Sequence, residues 1–219
     1  ELYKEKQYLS AQILFEKEKV QQKENASDCA YYIANCAIRL NQVGADNLVL
    51  KFVQDYPISA KTNQAFVEVA QYYFEEGNYQ KTLEWFDKVN TNSMDADDKE
   101  RYDFQKGYAY FALKNNKEAS KHFNLVLNST TFGNQAKYYL GYISYASDDY
   151  KNANNYFDQV ADQEKYQEKM GYFQADMNFK LGNFQKAIDL GTAQFPKANE
   201  AEKSELSKII GESYFNLKK

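Results

Sequence analysis

The chain has 219 residues, 43% of them apolar and 26% charged, with only two prolines and nine glycines, a balance that favours a mostly helical chain over a sandwich, a barrel or disorder. Its formal net charge of −4 leaves no basic footprint, so neither nucleic acid nor an anionic membrane is an expected partner. No apolar run approaches the roughly 20 residues that cross a bilayer, and no transmembrane segment is expected.

In chain order, 1–22 reads as a second helix with no first helix before it, marked by Tyr8, Ala11 and Phe15. Residues 26–57 form the first full helical pair, with Ser27 or Asp28 as the expected cap and Arg39 in a last helical turn, where the dipole favours positive charge. Cys29 and Cys36 lie seven residues apart in that helix, about 10 Å by helical rise, which is beyond disulfide reach, so they read as small core residues. The clearest unit is 63–92: Phe66, Val69, Ala70 and Tyr73 draw one apolar stripe, and Tyr79, Thr82, Leu83, Phe86 and Val89 draw a second. Between them Gly77 supplies the left-handed backbone of a tight turn, and Thr62 is the expected cap.

The pairs 98–129 (capped by Asp95, with Lys114 in a last turn), 134–163 and 168–196 (with Lys180 in a last turn) repeat this plan. The last unit, 200–219, holds a single first helix, opened by the capping-box spacing of Asn199 and Glu202. The chain therefore starts and stops inside a unit, and Lys219 falls where the next turn is expected. Without polar end caps it reads as part of a longer array. Tyr8, Ala11, Phe15 and Ile210, Tyr214, Leu217 would then face solvent and drive weak self-association through the ends.

The register of the pairs is set by a small residue in each second helix: Ala11, Ala45, Thr82, Ala119, Ala153 and Ala187, at gaps of 34, 37, 37, 34 and 34. Twelve residues before the last five stand Ile33, Ala70, Gly107, Gly141 and Ala175, and Gly211 opens one more cycle. Small residues recur there because helices approach closely only where side chains are short. Phe86 and Val89, Phe123 and Val126, and Phe157 and Val160 follow at helical spacing. Ile33, Thr82, and the Gly191 and Gln194 that replace Phe and Val are departures, the last two expected to loosen their unit.

This pattern resembles the tetratricopeptide repeat, most completely from Gly141 and Tyr142 through Tyr150, Ala153, Phe157 and Val160, and from Gly182 to Ala187. The resemblance implies an all-α fold: a single right-handed α-solenoid, or superhelix, of about twelve antiparallel helices spanning 1–219. It also implies that first helices line a concave face. There the triplets include Val67, Gln71, Phe74, then Phe104, Tyr108, Phe111, then Tyr138, Tyr142, Tyr145, then Tyr172, Asp176, Phe179. Phe104, Tyr108, Tyr138, Tyr142, Tyr145 and Tyr172 are thus the candidate partner-binding residues, since tyrosine buries a ring while its hydroxyl stays bonded. Packing between neighbouring units is the competing role for the same rings. The co-chaperones of this family clamp a C-terminal carboxylate with Lys, Asn and Arg, and here those places are aromatic.

An enzyme finds little footing. The single histidine, His122, stands beside the packing residue Phe123, and Asp95, Asp97 and Asp98 lack the glycine and distal glutamate of a calcium loop. P-loop, Gly-x-Ser-x-Gly and dinucleotide patterns are absent, so no catalytic residue, metal or cofactor is expected. Asn25-Ala26-Ser27 and Asn128-Ser129-Thr130 match the glycosylation triplet, a pattern common by chance. The expected function is a non-catalytic scaffold that binds a peptide or partner protein. The alternatives are a regulatory or targeting arm of a longer enzyme or sensor, and a glycan-binding surface. The loop Phe52 to Ala60, with Tyr56-Pro57, is similar to bacterial envelope members such as the periplasmic proteins that accompany the Tol–Pal system and the repeat lipoprotein of outer-membrane barrel assembly. That similarity implies a periplasmic or outer-membrane-associated protein, with the cytoplasm as the alternative.

Overall fold

The computed structural model describes residues 1–218, apart from the side chains of residues 164, 168 and 169; Lys219, the expected start of the last turn, lies outside the described residues. Twelve α-helices and no strand occur among them. They are α1 (Tyr8–Gln21), α2 (Ala26–Arg39), α3 (Ala45–Asp55), α4 (Thr62–Glu75), α5 (Tyr79–Phe86), α6 (Ala96–Ala112), α7 (Asn116–Leu125), α8 (Gly133–Ala146), α9 (Tyr150–Asp158), α10 (Glu164–Lys180), α11 (Phe184–Gln194) and α12 (Glu200–Asn216).

The helices fall into two compact units, Glu1–Asn115 and the rest of the chain from Asn116. In the first unit each of α1 to α5 packs on the next helix, and α2 also touches α4 as α4 touches α6. Its core is built from Tyr31, Ala34, Val49, Phe52, Val69, Ala70, Trp85 and Phe86. In the second unit each of α7 to α11 packs on its successor, and α10 touches both α8 and α12. There Phe157, Val160, Tyr166, Met170 and Met177 form one cluster, with Ala175, Ala198 and Leu206 in another. Cys29 and Cys36 are both free and buried.

The repeat is written into the backbone as well as the side chains. Lys6, Asn41, Gly77, Lys114, Asp148, Gly182 and Lys218 have left-handed φ between +51° and +76°, at intervals of 34 to 37 residues. From Asn41 onward, each stands seven residues after a small residue of a first helix, and closes that helix by the glycine-type C-terminal turn even where it is not glycine. This register corrects one reading: in α2 the small residue is the buried Ala34 rather than Ile33, because a longer turn with a second left-handed residue, Gly44, follows. Lys114 likewise lies past the end of α6, not in its last turn.

Caps divide by geometry. Asp95 accepts from the Asp98 N–H at 2.8 Å, and Asn199 and Glu202 complete the capping box. Ser27 and Thr62 do not cap: the Ser27 hydroxyl donates to Ser59 Oγ, and the Thr62 hydroxyl to the Tyr56 carbonyl, because α2 and α4 begin earlier than the polar residues suggest. Asn78 and Asp149 cap the second helices α5 and α9.

Two further expectations change. Gly191 does not loosen its unit: a Cβ there would stand 3.0 Å from Ile210 Cγ1, so the bare glycine lets α12 approach α11. Gln194 is buried against Gly171, where a Cβ would be 2.2 Å from its Oε1. Nor do Tyr8, Ala11 and Phe15 face solvent. Tyr8 meets the Tyr3 ring at 5.6 Å, Ala11 is buried, and Phe15 stacks on Tyr32 at 4.8 Å. The apolar residues that α1 does expose are Leu9, Ile13, Leu14 and Val20; Ile210 on α12 and Leu217 just past its end are half-buried, and Tyr214 and Phe215 on α12 are exposed.

Candidate functional site

The six candidate tyrosine and phenylalanine residues belong to two different units. In the first, Phe104 is buried in α6 and serves packing. Tyr108, one helical turn on and half-buried, meets Phe74 of α4 edge-on at 5.5 Å and Tyr79 of α5 at 5.6 Å. Burial and the neighbouring Tyr108 hold the Tyr79 phenol above its ordinary pKa.

In the second unit Tyr138, Tyr142 and Tyr145 lie on α8 and Tyr172 on α10, and the ring that gathers them is Phe173. Phe173 meets Tyr142 at 5.6 Å, Tyr145 at 4.9 Å, Tyr172 at 5.7 Å and Phe157 at 6.4 Å. Tyr138 joins through Phe157 and stacks on Tyr166 at 5.0 Å. Phe173 escaped the sequence reading because it lies one position beyond the expected stripe. The available signal was its repeat at Tyr139, 34 residues earlier, which stacks on Phe123 as Phe173 stacks on Phe157.

Exposure separates these rings. Tyr142 is 36% exposed, while Tyr138, Tyr145 and Tyr172 are half-buried. Tyr145 is fastened at its polar end: its hydroxyl donates to Asp176 Oδ2 at 2.7 Å, and Lys180 Nζ lies 2.9 Å from the same oxygen. Lys180 also sits over the Tyr150 ring at 4.6 Å, and the Tyr150 hydroxyl donates to Asp148. Burial first, and then Asp176, keep the Tyr145 phenol protonated well above its usual range. Burial opposes the charge on Lys180, but Asp176 and Tyr150 outweigh it and raise its pKa.

The same grouping of lysine, aspartate and tyrosine recurs in the first unit, unforeseen from sequence. Lys81 donates to Asp46 at 2.9 Å and to the Tyr73 hydroxyl at 3.0 Å, while Tyr73 donates to Asp46 at 2.6 Å. Lys106 donates to Asp87 at 2.8 Å and to the Tyr102 hydroxyl at 2.9 Å. The first grouping ties three successive helices, α3, α4 and α5, so these are clasps that hold neighbouring helices in register. Arranged thus, the second unit can present the Tyr142 and Tyr172 rings on a base made rigid by Phe173 and by the Tyr145–Asp176–Lys180 clasp. Among the described residues no helix is long and apolar enough to cross a membrane. No family model matches the sequence, and no curated protein matches it.

Proposed function

We propose that the chain is a tetratricopeptide-type right-handed solenoid acting as a non-catalytic scaffold, which takes a peptide or an extended segment of a partner protein against the aromatic face of its first helices. The observation that carries this reading is the pair Tyr142 and Tyr172, on successive first helices, each leaning on Phe173 and each leaving part of its ring open. Rings held in place lose little freedom when a ligand covers them, which is what a binding hot spot requires. Support for the solenoid is the contact of each first helix with the next inside each unit, together with the left-handed turns at intervals of 34 to 37 residues. Tyr142, Tyr172 and Tyr138 are the contact residues of this reading, Tyr108 is their counterpart in the first unit, and Phe104 and Tyr145 support the face from below. A periplasmic or outer-membrane setting rests on the loop from Phe52 to Ala60 alone.

The test is to select peptides from a random library on the 219-residue chain and measure their binding to Tyr142→Ala/Tyr172→Ala. Binding is expected to weaken at least tenfold, about 1.4 kcal/mol or more, with the helical melt nearly unchanged. Peptides that bind both proteins equally, or a double variant that loses its fold, would assign the two rings to packing and remove the proposal.

A further inference from the structure

The outward face of α1 differs from that of α5, α7, α9 and α11; beside α3 the place two before Ala45 holds the exposed Val43, and the place two after it the polar Asn47. Counted from the small residue of each, the positions two before and two after it are Gln80 and Glu84 in α5, Lys117 and Lys121 in α7, Lys151 and Asn155 in α9, and Gln185 and Asp189 in α11. All eight are polar and exposed. In α1 the same two places hold Leu9 and Ile13, 59% and 45% exposed, and Val20 continues the line at 80% exposure. Leu9, Ile13, Glu16 and Val20 are spaced four, three and four residues apart, the seam of a paired helix. This is the side on which those four second helices meet water, not the side on which α2 packs.

We propose that this face pairs with the same face of a second copy of the chain, in antiparallel orientation. Charge selects that occupant. Glu16, Lys17, Glu18 and Lys19 alternate in sign and sum to zero, which gives no pull toward an anionic bilayer or a strongly charged protein. The side chains of Glu16 and Lys17 are exposed and make neither an ion pair nor a hydrogen bond among the described residues. With a two-fold axis at the Glu16–Lys17 peptide, Ile13 of one copy meets Val20 of the other, and Glu16 of each meets Lys17 of its mate. A helix of 14 residues is about 21 Å long. Two such helices bury far less than the roughly 1,600 Å² of a standard stable interface, so the dimer is weak and forms at high concentration. This inference is independent of the peptide-binding face.

Sedimentation equilibrium over a concentration series tests it. The weight-average mass should climb from 25.5 kDa toward twice that value. Ile13→Asn/Val20→Asn should weaken association at least tenfold while circular dichroism is unchanged, since both side chains stand outside the core. Glu16→Lys and Lys17→Glu should each associate poorly alone, because each sets like charges opposite one another. Their equimolar mixture should recover the wild-type curve. A chain that stays monomeric throughout, an Asn variant that associates like wild type, or charge variants that show no recovery on mixing would each overturn the proposal. So would uptake of the wild-type chain by phosphatidylglycerol vesicles that the Asn variant loses, which would make the face a membrane contact.

Discussion

Replacing Gly141 by Ala adds one methyl group to the middle of α8, where its carbon would stand 2.6 Å from Phe157 Cε1, 2.7 Å from Cδ1 and 3.1 Å from Cζ. Carbon atoms pack at about 3.5–4.0 Å, so the ring or the helix must move by an ångström. Phe157 has nowhere to go: it is fully buried, with Tyr138 at 6.1 Å on one side and Phe173 at 6.4 Å on the other. Overpacking of this kind costs about 1–3 kcal/mol, and the better helix propensity of alanine returns about 1 kcal/mol. The expected net loss is therefore about 1 kcal/mol. Gly211 holds the matching place in α12 but has nothing within 4 Å of a built Cβ, so Gly211→Ala should stabilise by about 0.5–1 kcal/mol. Thermal melts by circular dichroism should move in opposite directions, by about 2–4 °C per kcal/mol for a chain of this size. Phe157→Leu, introduced with Gly141→Ala, should relieve part of the loss that the two single variants predict by addition. If both glycine variants shift the melt alike, the close approach of α9 to α8 does not govern this position and the argument fails.

Two other outcomes follow from the backbone and the buried phenols. Lys114 sits at φ +62°, so Lys114→Gly should raise stability by about 1 kcal/mol in a denaturant melt, while Gly77→Ala, at φ +72° with open space around it, should lower it by a similar amount. Burial lifts Tyr3 to about 12, and lifts Tyr31 and Tyr145 further, above the ordinary phenol value near 10. The unfolded chain releases these protons first, so the stability they contribute is intact below about pH 10 and is lost as pH climbs from there through 12 and beyond. Tyrosinate absorbance should then rise in a late step that coincides with loss of helical circular dichroism. A smooth titration near pH 10 with the helices intact would contradict it.

Much of the local structure was legible because helices obey a short-range code. The recurrence of Ala70, Gly107, Gly141 and Ala175, with Gly77 and Gly182 beyond them, located helices and turns from neighbours three to seven residues away. Asp95 and Asn199 were recognisable for the same reason: a cap and the N–H groups it accepts lie within three residues. The candidate site was legible only as a list of aromatics. Tyr145, Asp176 and Lys180 meet across 31 residues of sequence, and Asp46 meets Lys81 across 35, so no local pattern announces either clasp. Phe173 gathers the tyrosines only because α8, α9 and α10 converge on it. What the sequence by itself determined was which stripe of each helix is apolar, together with the helix limits at Gly77, Asp95, Gly182 and Asn199, since these depend on residues within two turns. Which face of each ring remained open, that Gly191 admits α12, and that α1 turns leucine and isoleucine to the water were decided by tertiary packing, because burial is settled by whichever distant helix arrives to cover a surface.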